Sequence, residues 1–120
     1  MPAGKTLDLS KYAQRLRDFA RERDWEKFHS PKNIATALSV EASELLEIFQ
    51  WLTEEQSRQL SRESMEKVQE ELADVLLYLI RLSDLLRIDL AAAADAKLAA
   101  NSRKYPVHKA RGNSKKYTEL

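Results

Sequence analysis

Apolar residues recur along this chain at helical spacing almost from end to end, and no stretch of any length alternates with the two-residue period of a strand. Leu9, Tyr12, Ala13, Leu16, Phe19 and Ala20 predict a first helix, capped by Asp8 or Ser10 and running to about Asp24, with Arg and Lys on its other face. The segment Trp25-Glu26-Lys27-Phe28-His29 breaks the pattern. Ser30-Pro31 reads as an N-cap followed by proline at the first helical position, and opens a second helix to about Trp51 or Leu52. Thr53-Glu54-Glu55-Gln56 has capping-box spacing and predicts a short helical turn to about Leu60. Ser61 caps a third helix to about Arg87, with Met65, Val68, Leu72, Val75, Leu76, Leu79, Leu82 and Leu86 at core spacing. Leu77 and Ile80 widen its apolar face, which predicts burial on more than one side and a subunit interface. Asp89 caps an alanine-rich fourth helix from Leu90 to about Lys104, which Tyr105-Pro106 ends. The expected fold class is all-α, a small four-helix bundle that oligomerises. Residues 1–7 form a flexible leader, 8–104 the helical domain and 105–120 an extended basic tail.

Two of these helices carry carboxylates where the pattern calls for apolar side chains. At about 100° per residue, Ile34, Leu52 and Ile48 lie within about 20° of Glu41, Leu45 lies about 40° away, and Glu44 about 60° off. On the third helix Tyr78 and Leu82 flank Glu71 at about 20°, Val75 follows at about 40°, and Asp74 lies about 60° off. Glu70 and Glu47 fall about 100° and about 120° from these centres and belong to the wet side. Buried carboxylates that converge repel one another and need a cationic partner. Lys67 and Arg81 could serve Glu71 and Asp74, but no basic residue lies between Lys32 and Arg58 to serve the second helix. A hard divalent cation held by Glu41, Glu44, Glu71 and Asp74 answers the problem better, because the i, i+3 spacing lets both acids of one helix reach one point. A di-iron bundle would need Glu-x-x-His from two helices, and Glu26-x-x-His29 is the only copy here. With no imidazole at the cage, Mg²⁺ is favoured, Mn²⁺ is possible, and substrates that bring their own oxygens, such as phosphates, fit best.

Composition adds bounds. The 120 residues make one domain, and the two Gly and three Pro suit an all-helical chain. The absence of cysteine excludes a disulfide scaffold and a thiolate metal site, and no apolar run approaches a bilayer span. These features lead to the expectation of a cytoplasmic protein without membrane contact. Residues 101–120 hold six basic side chains against Glu119, a net +5; since the whole chain is +1, residues 1–100 carry −4. Aromatic side chains flank the carboxylates: Trp25 before the second helix, Trp51 at its end, and Tyr78 one turn beyond Asp74. Their faces suit a stacked nucleobase whose phosphates reach the metal. His29 could hydrogen-bond a base or sugar, and Lys97 with Asn101, at i, i+4 on the fourth helix, could meet phosphates. Singly, each has a plainer reading: core or bundle-edge aromatics, a solvated histidine, and a lysine that snorkels to water.

The chain also resembles a known family, the all-α MazG-like nucleotide pyrophosphohydrolases, most closely the dCTP pyrophosphatase branch. The resemblance rests on Arg23-Asp24-Trp25 with Phe28-His29-Ser30-Pro31-Lys32-Asn33, on Glu41-x-x-Glu44-Leu45 with Phe49-Gln50-Trp51, and on Glu70-Glu71-Leu72-Ala73-Asp74-Val75-Leu76 with Tyr78-Leu79. It continues through Asn101 with Arg103-Lys104-Tyr105-Pro106-Val107 and the Arg111-Gly112…Lys115-Lys116-Tyr117-Thr118 segment. It implies Mg²⁺-dependent hydrolysis of a nucleoside triphosphate, most specifically dCTP or a modified cytidine triphosphate, to the monophosphate and pyrophosphate, a nucleotide-pool housekeeping role. It assigns Glu41, Glu44, Glu71 and Asp74 to the metal and the catalytic centre, Trp25, His29, Trp51 and Tyr78 to the base pocket, and Lys97 and Asn101 to the phosphates. It implies a homodimer or homotetramer in which a neighbouring subunit completes the pocket, and no specific nucleic-acid partner. Many MazG-like sequences carry a second Glu just before the first metal-binding one, where this chain has Val40. Two other readings compete: a related pyrophosphatase for dUTP or an oxidised purine nucleotide, and a non-catalytic helical module whose basic tail contacts nucleic acid.

Overall fold

The computed structural model describes residues 4–120, so Met1, Pro2 and Ala3 of the expected leader lie outside the described residues. The described part of that leader, residues 4–7, is exposed and without regular structure. Six helices follow: α1 (Leu9–Glu22), α2 (Pro31–Phe49), α3 (Glu54–Arg58), α4 (Arg62–Leu85), α5 (Leu90–Lys104) and α6 (Val107–Ala110). Single 3₁₀ turns occupy Glu26–Phe28 and Tyr117–Glu119, and the described residues contain no strand. None of these helices is long and apolar enough to cross a membrane.

The helix starts are written locally. Asp8, Ser30, Thr53, Ser61 and Asp89 each accept a hydrogen bond from a first-turn backbone N–H, and Thr53 with Gln56 completes a reciprocal capping box. The ends of α1 and α4 use the same device without glycine. Asp24 (φ 55°) and Arg87 (φ 56°) take the left-handed conformation. The Trp25 N–H then reaches Ala20 O at 2.8 Å, and the Ile88 N–H reaches Ser83 O at 2.8 Å. Each closes a Schellman turn. The helices stop a residue or two earlier than expected for this reason, since a left-handed residue cannot continue the i to i−4 ladder.

The chain divides into two compact units, residues 4–88 and 89–120 of the described part. In the first, α4 is the centre and both α2 and α1 pack on it. The face bearing Val68 and Glu71 belongs to the α2 seam, where Ile34 is buried. Ile80, only 2% exposed, lies about 180° from Glu71 around the helix, and the buried Ala13 and Ala20 of α1 offer a close-packing surface for that side. The breadth of the α4 face is thus used in part within the chain, which packs α2 and α1 on two of its sides as expected. A stripe remains outside: Met65, Leu72, Leu79 and Leu86, seven residues apart, are 37–51% exposed.

The second unit holds α5, α6 and the last turn. Residues 105–120 were expected to be extended, and they fold instead. Pro106 starts α6, Gly112 (φ 81°) turns the chain, and Tyr117 meets Tyr105 edge-on with centroids 6.2 Å apart and Lys104 over its ring at 4.9 Å. Two tyrosines thus offset the solvation that a basic segment otherwise prefers.

Replacing Ile80 by Ala should cost about 2–5 kcal/mol, because the site is enclosed by packed helices. Chemical denaturation of the two proteins measures it, and a loss below about 1 kcal/mol would mean that α4 is not the centre of the first unit.

Candidate functional site

Helical geometry carries the acids of α2 and α4 to one place. Carboxylate oxygens of Glu41, Glu44 and Glu71 lie within 4.8 Å of one another; Glu44 is exposed, and Glu41 and Glu71 are half-buried. The carboxylate oxygens Glu41 Oε2 and Glu71 Oε2 are shut off from solvent and have no hydrogen-bond partner. Asp74, one turn on, is close enough for its charge to act on both. Among the described residues no basic side chain forms an ion pair with any of the four. The local partners considered from sequence are engaged elsewhere, Lys67 with Glu63 at 3.6 Å and Arg81 with Asp84 at 3.7 Å. The i, i+4 and i, i+3 geometry of those pairs turns both cations away from the seam.

The electrostatic consequence is large. Burial pushes the Glu41 carboxyl up to about 7, with the adjoining Glu44 and Glu71 carboxyls and the charges of Glu44 and Asp74 adding to it. Glu71 is raised as well, first by burial and then by Glu44 and Asp74, while its contact with the Glu41 carboxyl acts the other way. Orphaned, desolvated oxygens from two helices are the donor set that a hard divalent cation requires, so the residues fit such an ion.

Beside this cluster opens a cavity of about 510 Å³. Its walls are two matching helical stripes with i, i+3, i+4, i+7 spacing: Tyr12, Arg15, Leu16 and Phe19 from α1, and Asp74, Leu77, Tyr78 and Arg81 from α4. The connection between α1 and α2 supplies Trp25 and His29. The Schellman turn sets Trp25 at the cavity wall, where it meets Phe19 edge-on at 5.7 Å and His29 at 6.4 Å. The His29 N–H donates to Glu26 O at 3.1 Å, and Asn33 Nδ2 ties down Phe28 O at 3.0 Å, so the turn that carries the imidazole is pinned. Asp74 belongs to both places. It lines the cavity and acts on the acid cluster, which joins the two into one site.

Of the ten residues singled out from sequence, Glu41, Glu44 and Glu71 meet, while Asp74 acts on them by its charge and lines the adjoining cavity with Trp25, His29 and Tyr78. Trp51 does not: it follows the end of α2 and is 86% exposed. Lys97 (exposed) and Asn101 (half-buried) sit on α5, in the second unit. Sequence reasoning missed the α1 wall, Leu77, and a part-buried ionic chain centred on Arg81. In that chain Arg17 Nε donates to Asp84 Oδ2 at 2.8 Å, Asp84 pairs with Arg81, and the Arg81 Nε–H donates to His29 Nδ1 at 3.1 Å. His29 is accordingly half-buried, not a solvated linker histidine, and its pKa is lowered by burial and then by the Arg81 charge, with Glu26 opposing. The signal that could have found the chain is a lone arginine inside the leucine-rich run from Val75 to Leu86.

Fold and site together define an all-helical protein that sets a cluster of unpaired carboxylates beside an aromatic-walled cavity. The chain belongs to the MazG-like family, whose model matches residues 36–120. It is similar to dCTP pyrophosphatase 1 of Homo sapiens, 48% identical over 105 residues, and to that of Mus musculus, 44% identical over 105. Both alignments cover 86% of this chain and 62% of the relative, so the chain spans about three fifths of the length of the curated relatives it matches. Among solved structures it is similar to a pyrophosphatase from Archaeoglobus fulgidus DSM 4304, at 37% identity and a TM-score of 0.78, covering 88% of this chain and 99% of that one.

The raised acid sets a pH dependence for the metal-free protein. Glu41 binds its proton more tightly in the folded chain than unfolded, so its stabilising contribution is complete below about 4.5 and is lost as the pH rises through about 7. Glu41→Gln should flatten that part of the profile and raise the Tm above pH 7. Thermal melts across the range, with chelator present, check it; an unchanged slope in the variant would remove Glu41 as the source.

Proposed function

We propose that this protein is a Mg²⁺-dependent nucleoside triphosphate pyrophosphohydrolase that acts on dCTP or modified cytidine triphosphates. The observation that carries the proposal is the convergence of unpartnered carboxylate oxygens from two helices immediately beside a cavity walled by Trp25, Tyr78 and His29. The names of the similar proteins support the pyrophosphatase reading, and two of them support the cytidine nucleotide. The non-catalytic alternative leaves those oxygens without a counter-charge, and its extended basic tail is folded.

In this reading Glu41, Glu44, Glu71 and Asp74 hold the metal. A divalent cation held there would neutralise charge on the phosphate chain and make a nearby water more acidic. The base enters the cavity against Trp25 and Tyr78, with His29 as its polar contact, and the triphosphate runs past Asp74 toward the acid cluster. Water adds at the α-phosphorus, the α–β anhydride bond breaks, and pyrophosphate leaves with the bonding electrons. A carboxylate of the cluster orients the attacking water and takes its proton. Lys97 and Asn101 approach the phosphates. The protein works as a homodimer or homotetramer, for which the uncovered stripe of Met65, Leu72, Leu79 and Leu86 speaks. In that assembly the exposed Trp51 contributes to a pocket across the subunit boundary, and the setting is the cytoplasmic nucleotide pool.

Glu71→Gln and Asp74→Ala should each lower Mg²⁺-dependent pyrophosphate release by about 10²–10⁴-fold while the protein stays folded. Wild-type activity should vanish with EDTA and return with Mg²⁺. Full activity in either variant would end the proposal. Trp25→Ala should raise KM about tenfold with a smaller effect on kcat, as loss of a stacking face does. A pyrophosphate-release assay across the common nucleoside triphosphates reads all of these.

A further inference from the structure

A buried arginine whose side chain ends on a histidine is an unusual choice for a binding cavity. Arg81 is 6% exposed, and its Nε–H points at His29 Nδ1 across 3.1 Å. A guanidinium has donors and no acceptor, and it keeps its proton at any physiological pH. The nitrogen that receives it must therefore be bare. Neutral imidazole carries one proton, so in this contact that proton is on Nε2. A second proton on Nδ1 would set N–H against N–H and one cation against another.

The arginine is itself held from the far side. Asp84 lies 3.7 Å from its Nη1, and Arg17 of α1 donates to the same Asp84 oxygen at 2.8 Å. The charges around His29 are therefore Arg81 from α4 and Glu26 from its own turn, with Arg15 of α1 and Asp74 of α4 on the same cavity wall. Among the described residues Nε2 has no hydrogen-bond partner, and His29 is part of the cavity lining.

We infer that Arg81 is a positioning residue that fixes His29 as an Nε2–H donor, so that the cavity selects a base that offers an acceptor, a carbonyl oxygen or an unprotonated ring nitrogen, where it meets the imidazole. This deepens the nucleotide reading above and rests on it. A ring free to switch tautomer would accept from an N–H edge as readily as it donates to an acceptor edge, and would discriminate poorly. Locking the tautomer turns the wrong edge into a donor facing a donor, which is penalised more heavily than a missing contact.

The tautomer is directly measurable in the intact protein by ¹⁵N NMR of the imidazole, with a His108→Gln variant to assign the only other histidine. The expected result for the wild-type protein is a protonated Nε2 and a bare Nδ1 at neutral pH. In Arg81→Met the two tautomers should mix. KM for the preferred triphosphate should rise about tenfold, with a smaller effect on kcat, and the spread of kcat/KM across nucleoside triphosphates should narrow. Because that variant leaves Asp84 with Arg17 as its one cationic partner, Arg81→Met/Asp84→Asn is measured beside it and should behave alike. A wild-type Nδ1–H tautomer overturns the inference without any variant. So does a folded Arg81 variant that keeps the Nε2–H form, or one that loses kcat equally for every triphosphate. If the wild-type protein releases pyrophosphate from no nucleoside triphosphate, the functional reading falls and the base selection with it, while the NMR result still reports on the Arg81–His29 lock.

Discussion

Between α2 and α4 the chain concentrates negative charge in a place where water reaches only part of it. Glu41, Glu44 and Glu71 converge, Asp74 adds its field, and two of the carboxylate oxygens have no hydrogen-bond partner. Like charges at such separations, partly desolvated, repel strongly because the surrounding dielectric screens them poorly. Burial and the neighbouring carboxylates push Glu41 up to about 7, so protonation there relieves part of the repulsion as the pH falls below that value. A divalent cation would relieve it more completely and would have to displace that proton. Metal uptake and proton release are therefore linked at this seam. A helix pair optimised for stability alone would carry leucines here.

The same central helix distributes three environments around its circumference. The side with Glu71 faces the acid seam. Asp74, Leu77, Tyr78 and Arg81 form the stripe that walls the cavity, and Ile80 on the far side anchors the packing. Asp74 stands where the first two meet, so an ion at the acids and a ligand in the cavity would share one carboxylate. Against this stripe α1 sets its own, and the Schellman turn at Asp24 lets the chain leave α1 and return across the cavity mouth with Trp25 and His29. Two electrostatic regimes therefore lie within one helix length: unpaired acids at one end, and at the other a closed chain of Arg17, Asp84, Arg81 and His29 in which each charge has a partner.

Periodicity and end signals made the helices legible because both act over a few residues. A serine, threonine or aspartate satisfies first-turn N–H groups whatever the rest of the chain does, and the five cap residues behave that way. The helical wheel found the acids for the same reason: the angle between Glu41 and Ile34 is a property of one helix. The wheel also placed Tyr78 beside Glu71, and the family resemblance tied Trp25 and His29 to the same pocket.

Everything that depends on how one helix meets another had to come from the tertiary structure. The residues that cover the second face of α4 belong to α1, far away in sequence. From sequence Arg81 could serve Glu71 or Asp74, and it pairs instead with Asp84 and His29, a choice set by how α4 is rotated against its neighbours. The fold of residues 105–120 turned on an encounter between Tyr105 and Tyr117 across a loop. By itself the sequence determined where α1 to α5 begin and which helix faces carry misplaced charge, since those follow from backbone geometry and short-range hydrogen bonding. Only the tertiary structure decided which charges stay unpaired and which side chains wall the cavity, because pairing and enclosure are relations between segments that the chain brings together from a distance.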